Sequence, residues 1–165
     1  MSRHGAGDVR GAAQAYREII QKDPKNSMAL HCLGAAEASL GNYAVAEQMM
    51  KRALDVSPLD RDILANYSNL LQIMGRHEDA LPVLERALVG GVADPALIYA
   101  KAVCLFRLKR FEEALVDFST VVSMQPANAV AIGDCGAALG ELKRFDEALA
   151  KIGRASCRER VYGLV

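Results

Sequence analysis

The side chains that could do chemistry are scattered along this chain rather than grouped at the spacings that a reaction requires. A nucleophilic triad or a zinc site needs cysteine, serine, histidine and carboxylate side chains in a defined arrangement. No histidine has such a partner at a suitable spacing, and no two cysteines form a Cys-x-x-Cys pair; these residues are His4, His31, His77, Cys32, Cys104, Cys135 and Cys157. We therefore predict no catalytic residues, no metal ligands and no cofactor.

A glycine-rich segment near the start superficially resembles a dinucleotide-binding loop. It runs from Gly5 to Gly11, with three residues instead of two before the last glycine, and no strand precedes it. We therefore exclude it as a nucleotide site.

Alanine recurs at an unbroken interval of 34 residues, and this is the strongest pattern in the sequence. The five alanines are Ala12, Ala46, Ala80, Ala114 and Ala148. We number the positions of the 34-residue repeat so that these alanines occupy position 20. The residue at position 8 is then always small, the residue at position 4 is aliphatic, and the residue at position 24 is large and apolar. A period of this length indicates a stack of repeated helical units rather than one globular core.

The same register predicts where helices begin and end. Position 34 holds Asn26, Asp60, Asp94 and Asn128, whose side chains can accept hydrogen bonds from the first turn of a helix. A glycine that can end the helix follows in several repeats, and a second helix then runs to a proline at position 32. We predict an all-α, right-handed α-solenoid of antiparallel helix pairs, with nine helices of roughly 14 residues.

The residue types at these repeat positions resemble those of the tetratricopeptide repeat, in particular a bacterial type of array. The segments LKRFEEAL (108–115) and LKRFDEAL (142–149) are similar to the start of its second helix. The resemblance covers most of the chain and implies a single array over residues 1–150: a half repeat 7–26, repeats 27–60, 61–94 and 95–128, and a partial repeat 129–150. This sequence departs from the family pattern at Val92, which replaces the proline, and at Lys109 and Lys143, which replace the glycine between helices.

Both ends of the chain depart from a complete array. Residues 152–161, IGRASCRERV, resemble a translated sequencing adapter, so we expect 151–165 to be a non-native tail. The first repeat has only its second helix, whose apolar face would be exposed, although solenoids usually end in a polar capping face. We expect the sequence to be a fragment whose true start is missing.

Charge and composition limit the kinds of partner. The chain has 20 Lys and Arg and 20 Asp and Glu; without the tail, 16 basic and 19 acidic residues remain, a net charge of −3. No basic stripe is left for nucleic acid, and no apolar run is long enough to span a membrane. Outside the tail, cysteines without disulfide spacing suit a reducing compartment, so we predict a cytoplasmic protein.

The tetratricopeptide resemblance implies that the first helices of the repeats line a concave groove. This predicts a scaffold for protein–protein interactions that binds a peptide or a partner helix. Phe106 could instead pack between repeats. The candidate groove residues are Asn66, Asn69, Tyr99, Val103, Phe106 and Arg107. Of the family's carboxylate clamp, which holds acidic chaperone tails, only Asn66 and Asn69 match, so we do not expect that binding mode.

A second hypothesis treats the array as the substrate-presenting part of a larger enzyme. The LKRF(E/D)EAL segments resemble arrays that precede bacterial glycosyltransferase domains of the O-linked N-acetylglucosamine transferase type. In that case the fragment itself would not be an enzyme, although its parent would be. The sequence downstream of Ala150 would distinguish the two hypotheses.

Overall fold

The computed structural model describes residues 8–90 and 93–144, and these residues form helices and no strands. Eight helices follow one another: α1 (Val9–Lys22), α2 (Ser27–Ser39), α3 (Tyr43–Val56), α4 (Arg61–Ile73), α5 (His77–Leu88), α6 (Pro95–Arg107), α7 (Phe111–Met124) and α8 (Ala129–Glu141). The predicted all-α fold of helix pairs is confirmed. The ninth predicted helix and the proposed tail fall outside the described residues.

Helix starts lie at the predicted capping residues. Asn26 accepts a hydrogen bond from the backbone N–H of Ala29 at 2.9 Å, and Asp60 accepts one from Ile63 at 3.1 Å. Asp94 and Asn128 cap α6 and α8 in the same way. Each side chain satisfies a backbone donor that the first turn leaves without a partner.

The turn that follows each of α2, α4, α6 and α8 contains one residue with a left-handed backbone. Gly41 and Gly75 have φ values of 80° and 73°, and Lys109 and Lys143 have 61° and 59°. The lysines therefore adopt the glycine conformation although they carry a Cβ. The turn therefore forms without glycine, but the backbone of the lysine is strained.

The chain folds as two compact units, Met1–Ala87 and Leu88–Val165. In the first unit α1 packs on α2, α2 on α3, and α3 on α4; in the second, α6 packs on α7, and α7 on α8. The repeated alanines Ala46, Ala80 and Ala114 are completely buried. Helix α2 approaches α3 so closely that a Cβ added to Gly34 would lie 2.8 Å from Cγ of Met50.

Ala12 lies on the apolar face of α1, which the sequence predicts to be exposed because the first helix of that repeat is missing. It is half-buried, and its neighbour Ala13 is the completely buried alanine of α1. Among the described helices α1 packs against α2 and has no first helix of its own repeat. Val9 and Ile19 on this helix are exposed, as the sequence predicts.

Two kinds of polar contact join the repeats of the first unit: hydrogen bonds from arginine to a backbone carbonyl, and contacts of a buried carboxylate. Arg52 donates a hydrogen bond to the carbonyl oxygen of Pro24, and Arg86 donates to that of Pro58, so the same pair of repeat positions is joined twice. The buried carboxylate of Glu37 accepts from Arg17 and also from Nδ2 of Asn42, at 2.7 Å for the second bond. Its charge is therefore compensated where water is excluded.

Candidate functional site

The first unit contains a cavity of about 260 Å³ beside the first helices of two consecutive repeats. We call it the α2–α4 cavity. Helix α2 contributes small side chains, helix α3 two large ones, and helix α4 both amide and aliphatic groups. The lining consists of Ala35, Ala38, Ser39, Tyr43, Met50, Asn66, Asn69, Leu70 and Ile73.

The local sequence explains why this space is open and why it is amphipathic. Position 9 of α2 is Ala35 and position 12 is Ala38, so the helix presents little side-chain volume there. On α4, Leu70 is buried whereas Ile73 is 55% exposed, so the floor is packed and the edge faces solvent. Polar and apolar atoms contribute about equally to the lining surface. A concave surface where apolar side chains surround a few polar groups is the usual form of a binding site.

Two of the predicted groove residues, Asn66 and Asn69, lie together in this lining. Both are exposed on α4, at repeat positions 6 and 9. The Nδ2 atom of Asn66 lies 2.6 Å from Nε2 of His31 on α2. The amide of Asn69 has no hydrogen-bond partner among the described residues. Asn69 can therefore offer both donors and its acceptor to a ligand, whereas Asn66 has one group engaged.

The lining contains no Lys, Arg, Asp or Glu. A ligand that placed a charged group in this space would lose water contacts without gaining an ion pair. The chemistry of the cavity therefore favours an uncharged group, with amides that can bond to a peptide backbone.

The other four predicted groove residues lie on α6 in the second unit. Tyr99 donates a hydrogen bond to Oδ2 of Asp134 on α8 at 2.5 Å. Burial, and then the bond to Asp134, raise the pKa of Tyr99 to about 12. Val103 is half-buried and Arg107 is exposed.

The aromatic rings of α6 are largely used in packing. The Phe106 ring lies 5.2 Å from that of Phe111 and 6.4 Å from that of Phe118, and the Tyr99 ring lies 5.7 Å from Phe118. These are distances at which aromatic pairs stabilise a core. Phe106 thus packs against the second helix of its own repeat, whereas the alternative considered for it was packing between repeats.

Some residues of the cavity were not predicted from the sequence. Tyr43 and Met50 belong to the second helix of their repeat, and the prediction considered only first helices. His31 does not line the cavity but contacts Asn66, and the sequence predicts no partner for it. The only signal in the sequence was that His31 and Asn66 occupy adjacent positions, 5 and 6, of two consecutive repeats.

The thiols and the remaining ionisable groups suggest no reactive site in the described residues. Cys104 is completely buried, and burial raises its pKa to about 11, which keeps the thiol protonated. Within residues 8–90 and 93–144, no three His, Cys, Asp or Glu side chains are grouped as metal ligands. No described helix is both long and apolar enough to cross a membrane.

A family profile described as tetratricopeptide repeat matches residues 3–61 and 68–129, which is more than half of the chain. The chain belongs to the tetratricopeptide repeat family. A sequence comparison with curated proteins gives no significant match.

Solved structures of other tetratricopeptide proteins share this fold. A crystal structure of MamA is 19% identical, with a TM-score of 0.88 over 96% of this chain and 93% of MamA. MamA from Desulfovibrio magneticus RS-1 (residues 41 to the end) is 19% identical, with a TM-score of 0.87 over 94% of this chain and 88% of that one. YrrB, described as a TPR protein with an unusual peptide-binding site, is 22% identical, with a TM-score of 0.81 over 90% and 76%. At these identities the likeness establishes the fold.

The helix pairs of this tetratricopeptide protein coincide with the predicted repeats. Residues 27–60 contain α2 and α3, residues 61–94 contain α4 and α5, and residues 95–128 contain α6 and α7. The boundaries of a single array remain a prediction.

Proposed function

We propose that this tetratricopeptide protein is a protein-interaction scaffold that holds a peptide or a partner helix against the first helices of its repeats. The observation that carries the proposal is the α2–α4 cavity. It combines two exposed amides, Asn66 and Asn69, with apolar walls and no charge. Amides can bond to the N–H and C=O groups of any peptide, and the walls can receive one uncharged side chain.

Fold similarity gives additional support. YrrB, which is described as having a peptide-binding site, has the same fold as this chain. A shared fold does not determine a function, so the proposal depends on the cavity itself.

The exposed side chains of α6 are proposed as a second contact surface, on the second unit. Arg107 is the most accessible of the four candidates there, since the other three are half-buried. Tyr99 also bonds to Asp134, and Phe106 packs on Phe111. Any contribution of Tyr99 and Phe106 would come through their partly exposed edges.

The proposal is tested by selecting binders from a random peptide library displayed on phage, with the full chain immobilised. We expect enriched peptides with an uncharged apolar residue that is needed for binding. Each amide hydrogen bond contributes about 1 kcal/mol, so Asn66→Ala combined with Asn69→Ala should weaken binding by at least about 10-fold. Ala38→Phe should weaken it similarly by filling the cavity.

A matched control variant is Ala15→Phe, because Ala15 is exposed on α1 and does not line the cavity. Its affinity for the selected peptides should equal that of the wild type. Selected peptides whose affinity is unchanged for both the combined Asn66→Ala and Asn69→Ala variant and Ala38→Phe would place the binding surface elsewhere. A second double variant, Asn69→Ala with Tyr99→Ala, tests the candidates of both units together.

A further inference from the structure

His31 does not line the α2–α4 cavity, yet it contacts a residue that does. Its Nε2 atom lies 2.6 Å from Nδ2 of Asn66, and the two residues are 35 positions apart in the sequence. His31 occupies repeat position 5 of one repeat, and Asn66 position 6 of the next. The contact therefore joins α2 to α4 across a repeat boundary within the first unit.

The second unit contains the same arrangement with different residues. Tyr99, at position 5, donates to Asp134, at position 6 of the next repeat, and the offset is again 35 residues. In both pairs the last polar atom of a ring side chain reaches a short polar side chain on the next first helix. The repeat geometry thus brings these two positions within hydrogen-bond distance when position 5 carries a ring.

We propose that His31 is a positioning residue that fixes the side-chain amide of Asn66 at the edge of the α2–α4 cavity. When the imidazole carries its proton on Nδ1, Nε2 accepts from Asn66. The amide then keeps one N–H and its carbonyl oxygen for a ligand, in a fixed orientation. This inference rests on the proposed peptide-binding function, since it explains how one group of that site is prepared.

The consequence for binding is a smaller ordering cost. Immobilising a side chain on binding costs a free energy that corresponds to about 2- to 13-fold in affinity. Asn66 is ordered before the ligand arrives, whereas Asn69 has no partner in the described part of the chain. Loss of the His31 contact should therefore weaken binding through Asn66 and leave the contribution of Asn69 unchanged.

The first test needs no ligand. In the ¹⁵N-labelled full chain, His31→Ala should shift the side-chain NH₂ signals of Asn66 and leave those of Asn69 in place. His31→Gln should restore the Asn66 signals, because the Gln amide can turn its carbonyl oxygen Oε1 to nearly the same place as Nε2 and accept from Nδ2 of Asn66. His31→Asn is the matched control, since its shorter amide reaches only the Nδ1 place and should not restore them. Unchanged Asn66 signals in His31→Ala would overturn the positioning role.

The second test measures the affinity of a peptide selected on the wild-type chain. We expect a loss of about 3- to 10-fold for His31→Ala, near-wild-type affinity for His31→Gln, and no further loss from His31→Ala in an Asn66→Ala background. An affinity unaffected by His31→Ala, together with shifted NMR signals, would overturn the inference but leave the proposed function standing. If no peptide can be selected at all, it is the proposed function that fails.

Discussion

At the scale of single residues, Lys109 and Lys143 show how an unfavourable backbone conformation is retained. Both have φ near +60°, in turns where the equivalent residues are Gly41 and Gly75. A residue with a Cβ is less stable than glycine in this conformation by roughly 1–2 kcal/mol. Part of that difference is offset because glycine loses more conformational entropy on folding.

We predict that Lys109→Gly raises the free energy of unfolding by up to about 1 kcal/mol, measured by urea denaturation. Gly75→Ala is the matched reverse change. Within the described part of the chain nothing lies within 4 Å of a Cβ added there, so backbone strain alone should destabilise the fold by about 1 kcal/mol. The two variants must change the free energy of unfolding in opposite directions. A Lys109→Gly variant less stable than the wild type would contradict the backbone strain assigned to Lys109.

Glu47 on α3 is a residue whose charge connects its helix to α4 and to the turn after α4. It accepts from Lys51 at 2.7 Å and from Arg76 at 2.9 Å, and Tyr67 donates to it at 3.3 Å. These contacts, first the bond from Lys51, hold the pKa of Glu47 below its ordinary value. A lowered folded-state pKa means that the carboxylate stabilises the fold above about pH 4.3, and that this stability is lost as the pH falls through the lower value.

Glu47→Gln should therefore reduce the free energy of unfolding by about 1 kcal/mol at pH 7, and the difference from the wild type should vanish towards about pH 3. The control is Glu85→Gln, an exposed carboxylate with no ion pair among the described residues. Denaturation curves recorded from pH 7 to pH 3 provide the measurement. A difference that persisted at the acid end would show that the charge of Glu47 is not its cause.

At the scale of helices, glycine has different effects on stability in α2 and in α8. A Cβ on Gly34 would lie 2.8 Å from Met50 Cγ and 3.2 Å from the carbonyl oxygen of Ala46, whereas no atom of the described residues lies within 4 Å of one on Gly133 or Gly140. The first glycine permits a close helix crossing. The other two only reduce helix propensity, by about 1 kcal/mol each relative to alanine.

We predict that Gly34→Ala destabilises the chain by about 1–3 kcal/mol, as overpacking does. Gly133→Ala and Gly140→Ala should each stabilise it by up to about 1 kcal/mol. The three variants insert the same methyl group into helices, so they serve as controls for one another in thermal unfolding. Equal effects at all three positions would show that the α2–α3 contact is not as close as described.

The helices could be predicted from the sequence because their signals are local. Asn26 and Asp60 cap helices through bonds to residues three positions away, and the period of 34 fixes the register of every later repeat. The contact between His31 and Asn66 could not be predicted, because it depends on the distance between two helices rather than on either one. Likewise, the engagement of Phe106 by Phe111 and Phe118 becomes clear only when α6 and α7 are placed together.

At the scale of the whole molecule, the distribution of charge limits the kind of partner. Several cations are paired with carboxylates in the described part of the chain: Arg17 with Glu37, Arg76 with Glu47 and Asp79, Lys101 with Asp117, and Arg110 with Glu113. Paired cations contribute little to the field that attracts a phosphate backbone. Nucleic-acid binding would need several unpaired cations along one surface.

We therefore predict that the full chain does not bind a fluorescein-labelled DNA duplex at physiological salt. Non-specific DNA binders have dissociation constants of roughly 10⁻⁴–10⁻⁶ M under these conditions, so fluorescence anisotropy should remain constant up to about 100 µM protein. Residues 151–165 carry four basic side chains and one acidic side chain, and any weak signal at low salt should disappear in a variant that lacks them. If that shortened variant bound DNA with an affinity that fell steeply as salt was added, a basic surface would exist elsewhere on the chain, and a partner other than a protein or peptide would have to be considered.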